Sequence, residues 1–204
     1  QGFQFGSAVL QYDATGDERF LKIGRRGTVK HMASHVSHIG VHDHGFNNVS
    51  TYGNLRRLAL EGRFEAADGE VDYWELALQV SGAVQAARWT ETADGGGFIP
   101  SFNGPHSLFA DTIRTLRALA LSHDLGHFLY EEQDEQVDLL DRLIAHADAT
   151  AIVEIADDQT GEKPISVLHW DRRQETAGPV RPSTRLVRAA FSRTEGSVLH
   201  TWDA

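Results

Sequence analysis

The chain has 204 residues, 41% hydrophobic and 24% charged, enough to bury one good core or two small ones and unlike a disordered composition. Its formal charge of -10 argues against nonspecific binding to nucleic acid or an anionic membrane, because both need clustered Lys and Arg to displace counterions. The absence of Cys removes disulfides, iron-sulfur clusters and thiolate zinc sites, and no apolar run approaches the roughly 20 residues of a membrane span.

The opening stretch, Gln1-Gly2-Phe3-Gln4-Phe5-Gly6, lacks the basic and apolar regions of a secretory signal, which leaves the compartment open between cytoplasm and periplasm. Helical periodicity then dominates. Phe20, Ile23 and Gly27 begin a stripe that continues toward Met32 and Val36; Leu55, Leu58, Ala59 and Phe64 form a second; Tyr73, Leu76, Val80, Val84 and Ala87 a third. Leu108, Ile113, Leu116, Leu119 and Ala120 mark a fourth stripe, and Val137, Leu140, Leu143 and Ile144 a fifth. Thr15-Gly16-Asp17, Ala67-Asp68-Gly69 and Asp94-Gly95-Gly96-Gly97 punctuate the pattern as turns. Helices joined by short turns predict an all-α array of antiparallel helical hairpins over residues 1–150. From about Ala151 the pattern changes. Ile152-Val153-Glu154-Ile155 and Ile165-Ser166-Val167-Leu168, either side of a turn-like stretch, predict a short β-hairpin, followed by a Pro- and Arg-rich connection. The division predicted is a helical domain of 1–150 and a tail of 151–204.

Two acidic positions carry the chemistry. Asp43 lies in His42-Asp43-His44-Gly45-Phe46, and Asp111 in Phe109-Ala110-Asp111-Thr112-Ile113. Each sits where a loop hands over to a helical pattern, and such positions let a rigid scaffold hold two acids against one small substrate. The structural alternative is that each Asp is a helix N-cap, satisfying free backbone amides. Trp74, Trp89 and Phe102, taken singly, read as core residues.

The histidines offer competing readings. His31, His35, His38 and His42 fall at spacings of four, three and four, which on a continuous helix puts four imidazoles on one face. Gly40 interrupts that helix, so a polar stripe at the mouth of the bundle or a solvated face is favoured over a metal site. His123-Asp124-Leu125-Gly126-His127 imitates the metal-binding signature of HD-domain phosphohydrolases, with His106 as the upstream ligand, closer than that fold normally allows.

Taken in order, Gly2-Phe3-Gln4-Phe5-Gly6, Ala14-Thr15-Gly16-Asp17-Glu18-Arg19-Phe20, His42-Asp43-His44-Gly45-Phe46, Phe98-Ile99-Pro100-Ser101-Phe102 and the segment from Leu108 resemble the unsaturated glucuronyl hydrolases of glycoside hydrolase family 88. The resemblance covers residues 1–150, with a weaker echo around His200, and implies part of an (α/α)6 toroid, as members run to well over 300 residues. It implies hydration of the vinyl ether in a 4,5-unsaturated uronic acid at the nonreducing end of an oligosaccharide, without cofactor or metal. The position matching Asp111 would be the acid and base, and that matching Asp43 its partner; His42, Phe102 and His200 would contact the sugar. Gln4 stands where the family has an aromatic, and Phe102 near where it has a sugar-stacking Trp, so the sugar platform is altered. A noncatalytic or truncated carbohydrate-binding domain is the alternative, and a homodimer would cover the apolar edge of an open half-ring.

Overall fold

The structure, a computed structural model, describes residues 2–92, 95–102, 104–105, 107–160 and 167–169. It is predominantly helical. Helices α1 (Gly2–Thr15) and α2 (Glu18–His31) form an antiparallel pair across the expected turn at Gly16. Asp17 caps α2, its carboxylate accepting from the Arg19 N–H at 3.0 Å, and Lys30 and His31 complement the helix dipole at the other end. After the single turn α3 (Ala33–Val36), a loop leads to a π-helix at Gly45–Gly53, which runs into α4 (Asn54–Leu60). The sequence explains the wide winding: it is rich in Asn, Ser, Thr and Gly, whose side chains compete for backbone groups. Thr51 Oγ1 donates to the Asn47 carbonyl at 2.6 Å and Asn54 Nδ2 to that of Ser50 at 3.1 Å.

Helix α5 (Glu70–Ala87) packs against the π-helix on one side and α6 (Leu116–Asp124) on the other. Between them lie the short antiparallel pair β1 (Thr90–Glu91) and β2 (Gly97–Phe98), the strand β3 (Ser107–Phe109), and a 3-10 segment at Ala110–Thr115. A second small pair, β4 (Leu129–Tyr130) with β5 (Gln136–Val137), precedes α7 (Leu139–Thr160). Residues 152–155 lie within α7, where the sequence predicted a strand, so the helix runs through residue 151 without a break. The other expected strand is found in part, as β6 (Val167–His169). Its partner is β3, antiparallel, with Leu108 opposite Leu168. The hairpin's turn and the Pro-rich connection lie outside the described residues.

Two clusters of buried side chains form the core. Val9, Leu21, Met32, Val49, Tyr52, Leu55, Leu58, Trp74 and Leu78 make the larger, where α1, α2, the π-helix, α4 and α5 converge; Ala86, Ile99, Leu119 and Leu139 make the smaller, beneath α6 and α7. Trp74 is fully buried, as expected, and Trp89 is partly buried against the second cluster with Arg142 over its ring at 4.1 Å. Four of the predicted stripes carry exposed members: Ile23 of α2, Tyr73 and Leu76 of α5, Ile113 of the 3-10 segment, and Leu140 and Ile144 of α7. The buried face of α5 is Trp74, Ala77, Leu78, Ser81, Gln85 and Ala86, apolar at its start and polar toward its end. No helix among the described residues is long and apolar enough to cross a membrane.

Candidate active site

Buried side chains hold three backbone carbonyls in the approach to the π-helix, one within α3 and two in the loop that follows it. Asn48 Nδ2 donates to the His35 carbonyl at 3.0 Å, His44 Nε2 to that of His38 at 2.9 Å, and Gln85 Nε2 to that of Val41 at 3.1 Å. With its Nε2 proton so placed, His44 presents a lone pair at Nδ1 to the Ser81 hydroxyl at 2.9 Å. Burial pushes the His44 pKa down to about 4, so the ring is neutral in this network. Gln85 also reaches the second acid-bearing segment, its Oε1 accepting from Thr115 Oγ1 at 2.8 Å. One α5 side chain thus links the loop ahead of Asp43 to the 3-10 segment that carries Asp111.

Backbone contact completes the approach. A Cβ on Gly45 would lie 1.9 Å from the Arg114 carbonyl oxygen, so only glycine lets the start of the π-helix meet the end of the 3-10 segment. The result is a convergence of the two acids on one imidazole. His42 Nε2 is 3.1 Å from Asp111 Oδ1 and 3.7 Å from Asp43 Oδ1. The histidine is 1% exposed, while the carboxylate side chains are 28% and 37% exposed, so the ring is the floor and the acids face solvent. Facing carboxylate oxygens, which accept, Nε2 is the donor.

Neither acid caps a helix. Asp43 takes part in helix initiation through its backbone, its carbonyl accepting from the N–H groups of Phe46 at 3.0 Å and Asn47 at 2.8 Å. The residues flanking the π-helix and the 3-10 segment at their starts, His44 and Phe109, make no side-chain cap.

Phe102 stacks on His42 with ring centroids 5.6 Å apart and planes 12° from parallel, and Phe109 meets the same ring edge-on at 6.4 Å. Phe102 is 59% exposed, an aromatic face beside the acids rather than a core residue. Two guanidinium groups flank the pair. Arg114 Nη1 is 3.9 Å from Asp111 Oδ2, with the guanidinium carbon 4.2 Å from the Phe46 ring centroid. Arg88 donates to the Ser101 carbonyl at 3.3 Å; burial lowers its pKa, and the charge of Asp43 opposes that shift. The sequence pointed to neither arginine, nor to Ser81 and Gln85. Two polar residues four apart in the otherwise apolar end of α5, from Val80 to Ala87, were the available signal for the latter pair.

The remaining sequence candidates are dispersed. Helix α2 ends at His31, which stacks on Phe5 at 5.4 Å; His35 and His38 meet edge-on at 6.4 Å; only His42 reaches the acids. The four imidazoles therefore do not share one helical face, because the helix terminates before the second of them. The stretch from His123 to His127 is a helix C-terminus: Gly126 at φ 72° donates to the His123 carbonyl at 2.8 Å, and the His127 N–H to that of Ser122 at 3.1 Å, a Schellman arrangement. His123 pairs with Asp138 at 2.9 Å. Among the described residues no group of three His, Asp or Glu side chains is placed to hold a metal ion. His106 and His200 lie outside the described residues.

Fold and site together define a helical domain with a paired-carboxylate site at the junction of two helix-initiating segments. No protein-family model matches the chain, and neither does any curated protein or solved structure.

Proposed function

We propose that the chain hydrates the vinyl ether of a 4,5-unsaturated uronic acid at the nonreducing end of an oligosaccharide. The observation that carries this reading is the convergence of Asp43 and Asp111 within 4 Å of one buried imidazole nitrogen. In this reading Asp111 gives its proton to the C4 carbon of the double bond and takes one from the water that adds to C5. The hemiketal so formed opens and releases the sugar. Asp43 binds sugar hydroxyls beside its partner and holds the ring in place against it. Arg88 and Arg114 supply positive charge for the uronate carboxylate, which an overall acidic protein must provide locally. Phe102 offers a face on which the ring packs. The resemblance of the Asp43 and Asp111 segments to family 88 glycosidases points the same way.

The test is the ultraviolet absorbance of an unsaturated uronyl disaccharide incubated with the protein, beside Asp111→Asn and a chelator-treated sample. The expected result is a loss of absorbance that survives the chelator and is abolished in the variant. Sugar binding with no loss of absorbance, from protein folded by circular dichroism, would replace this reading with a noncatalytic carbohydrate-binding domain. Loss that the chelator abolishes would call for a metal-dependent mechanism instead.

A further inference from the structure

Within electrostatic reach of His42 lies a second buried histidine that the mechanism above does not use. His146, on α7, is fully buried, and its Nδ1 accepts a hydrogen bond from the Ile99 backbone N–H at 3.0 Å. A backbone amide can only donate, so Nδ1 holds a lone pair and the proton of the neutral ring is on Nε2. Burial, with a smaller contribution from nearby His42, pushes the His146 pKa down to about 4 and keeps the ring in that neutral form at physiological pH.

His146 Nε2 has no hydrogen-bond partner among the described residues, and neither does His42 Nδ1. Both atoms are buried, and an unpaired buried polar group loses its hydration without compensation. Their needs are complementary. His146 has a proton to give at Nε2; His42, whose Nε2 faces Asp111 at 3.1 Å as donor, has a lone pair to fill at Nδ1. One water accepting from the first and donating to the second satisfies both, as buried waters commonly do.

We propose that His146 is a positioning residue for the acid pair: through one buried water its Nε2–H fixes His42 in the tautomer that carries its proton on Nε2, directed at Asp111. The chain of donors then runs from the Ile99 amide through His146, the water and His42 to the Asp111 carboxylate. The reverse tautomer of His42 would leave Asp111 facing a lone pair and, with both rings donating to the water, leave the water's own protons with no acceptor on either ring. The assignment of a role in turnover rests on the hydration reading; the tautomer itself does not.

The test is long-range proton-nitrogen correlation of the full-length chain labelled with 15N-histidine at neutral pH, with His42→Asn and His146→Gln used to assign the signals. The expected His42 pattern is a protonated Nε2 and an unprotonated Nδ1, lost to a mixture of tautomers in His146→Leu and restored in His146→Gln, whose amide both donates and accepts. A proton on His42 Nδ1 in the unaltered chain, or a His42 pattern unmoved in a folded His146→Leu, overturns the proposal. In the absorbance assay His146→Leu should lower kcat roughly tenfold with a smaller effect on KM, and His146→Gln should recover most of it. Equal rates in the unaltered chain and a folded His146→Leu would overturn the role in turnover. An intact His42 pattern in a chain that does not consume the disaccharide would support the tautomer and refute the hydration reading alone.

Discussion

Replacing Gly45 with Ala separates the acids without touching either of them. The new Cβ would sit 1.9 Å from the Arg114 carbonyl oxygen and 2.8 Å from its carbonyl carbon, against an ordinary contact of 3.4–4 Å. Both atoms are backbone, so no side chain can swing aside, and one segment must retreat by about 1.5 Å. A displacement of that size breaks the 3.1 Å contact between His42 and Asp111, which joins the same two segments. Overpacking of this kind costs roughly 1–3 kcal/mol, or about 2–12 °C in melting temperature for a chain of this length. Catalytic misplacement of an ångström costs on the order of a hundredfold in rate. Melting followed by circular dichroism and turnover of the unsaturated disaccharide should therefore separate: a modest loss of stability with a rate down about a hundredfold while the chain remains folded. A variant with unaltered rate and melting temperature would refute the close approach of the two segments and the geometry of the site with it.

Arg88→Met and Arg114→Met should each raise KM for the uronyl disaccharide by roughly tenfold or more, the loss expected when one hydrogen bond to a charged group is removed, with a smaller change in kcat. Unchanged KM in both would remove the arginines from substrate binding. Stability should fall as the pH is lowered from about 6.5 toward 4. His44 and His146 resist protonation in the fold down to about 4, whereas the unfolded chain protonates them near 6.5, so acid favours unfolding. The effect is on the order of 3 kcal/mol for each. Urea midpoints at pH 7 and 4.5 should show a smaller drop in His146→Gln than in the unaltered chain, and equal drops would contradict the linkage.

Much of the helical layout was legible in the sequence because apolar spacing reports burial wherever the buried face is apolar. Leu55, Leu58, Met32, Leu116 and Leu119 are buried as their periodicity implied. Helix α5 departs from that rule: Ser81 and Gln85 occupy the buried face because they hold the acid-bearing segments, while Tyr73 and Leu76, at helical spacing, face solvent. Residues 152–155 misled for a different reason. Isoleucine and valine favour strands as a local preference, and the continuing helix overrides it. The acid pair was visible as two segments of similar character, and the resemblance joined them. Their common partner was hidden, since a histidine one position before Asp43 says nothing about which carboxylates its ring will meet.

The divided face of α5 has a mechanical consequence. Its first turns supply Trp74, Ala77 and Leu78 to the larger core cluster, and its later turns supply Ser81 and Gln85 to the loop that presents His42 and Asp43. A rigid rod cannot release one end without disturbing the other. The loop should therefore share the cooperative unit of the core instead of opening on its own, and amide protons around His44 and Asn48 should exchange with deuterium nearly as slowly as those of Leu78. Loosening of the distant helix packing would then be felt as lost alignment of the acids before it was felt as unfolding.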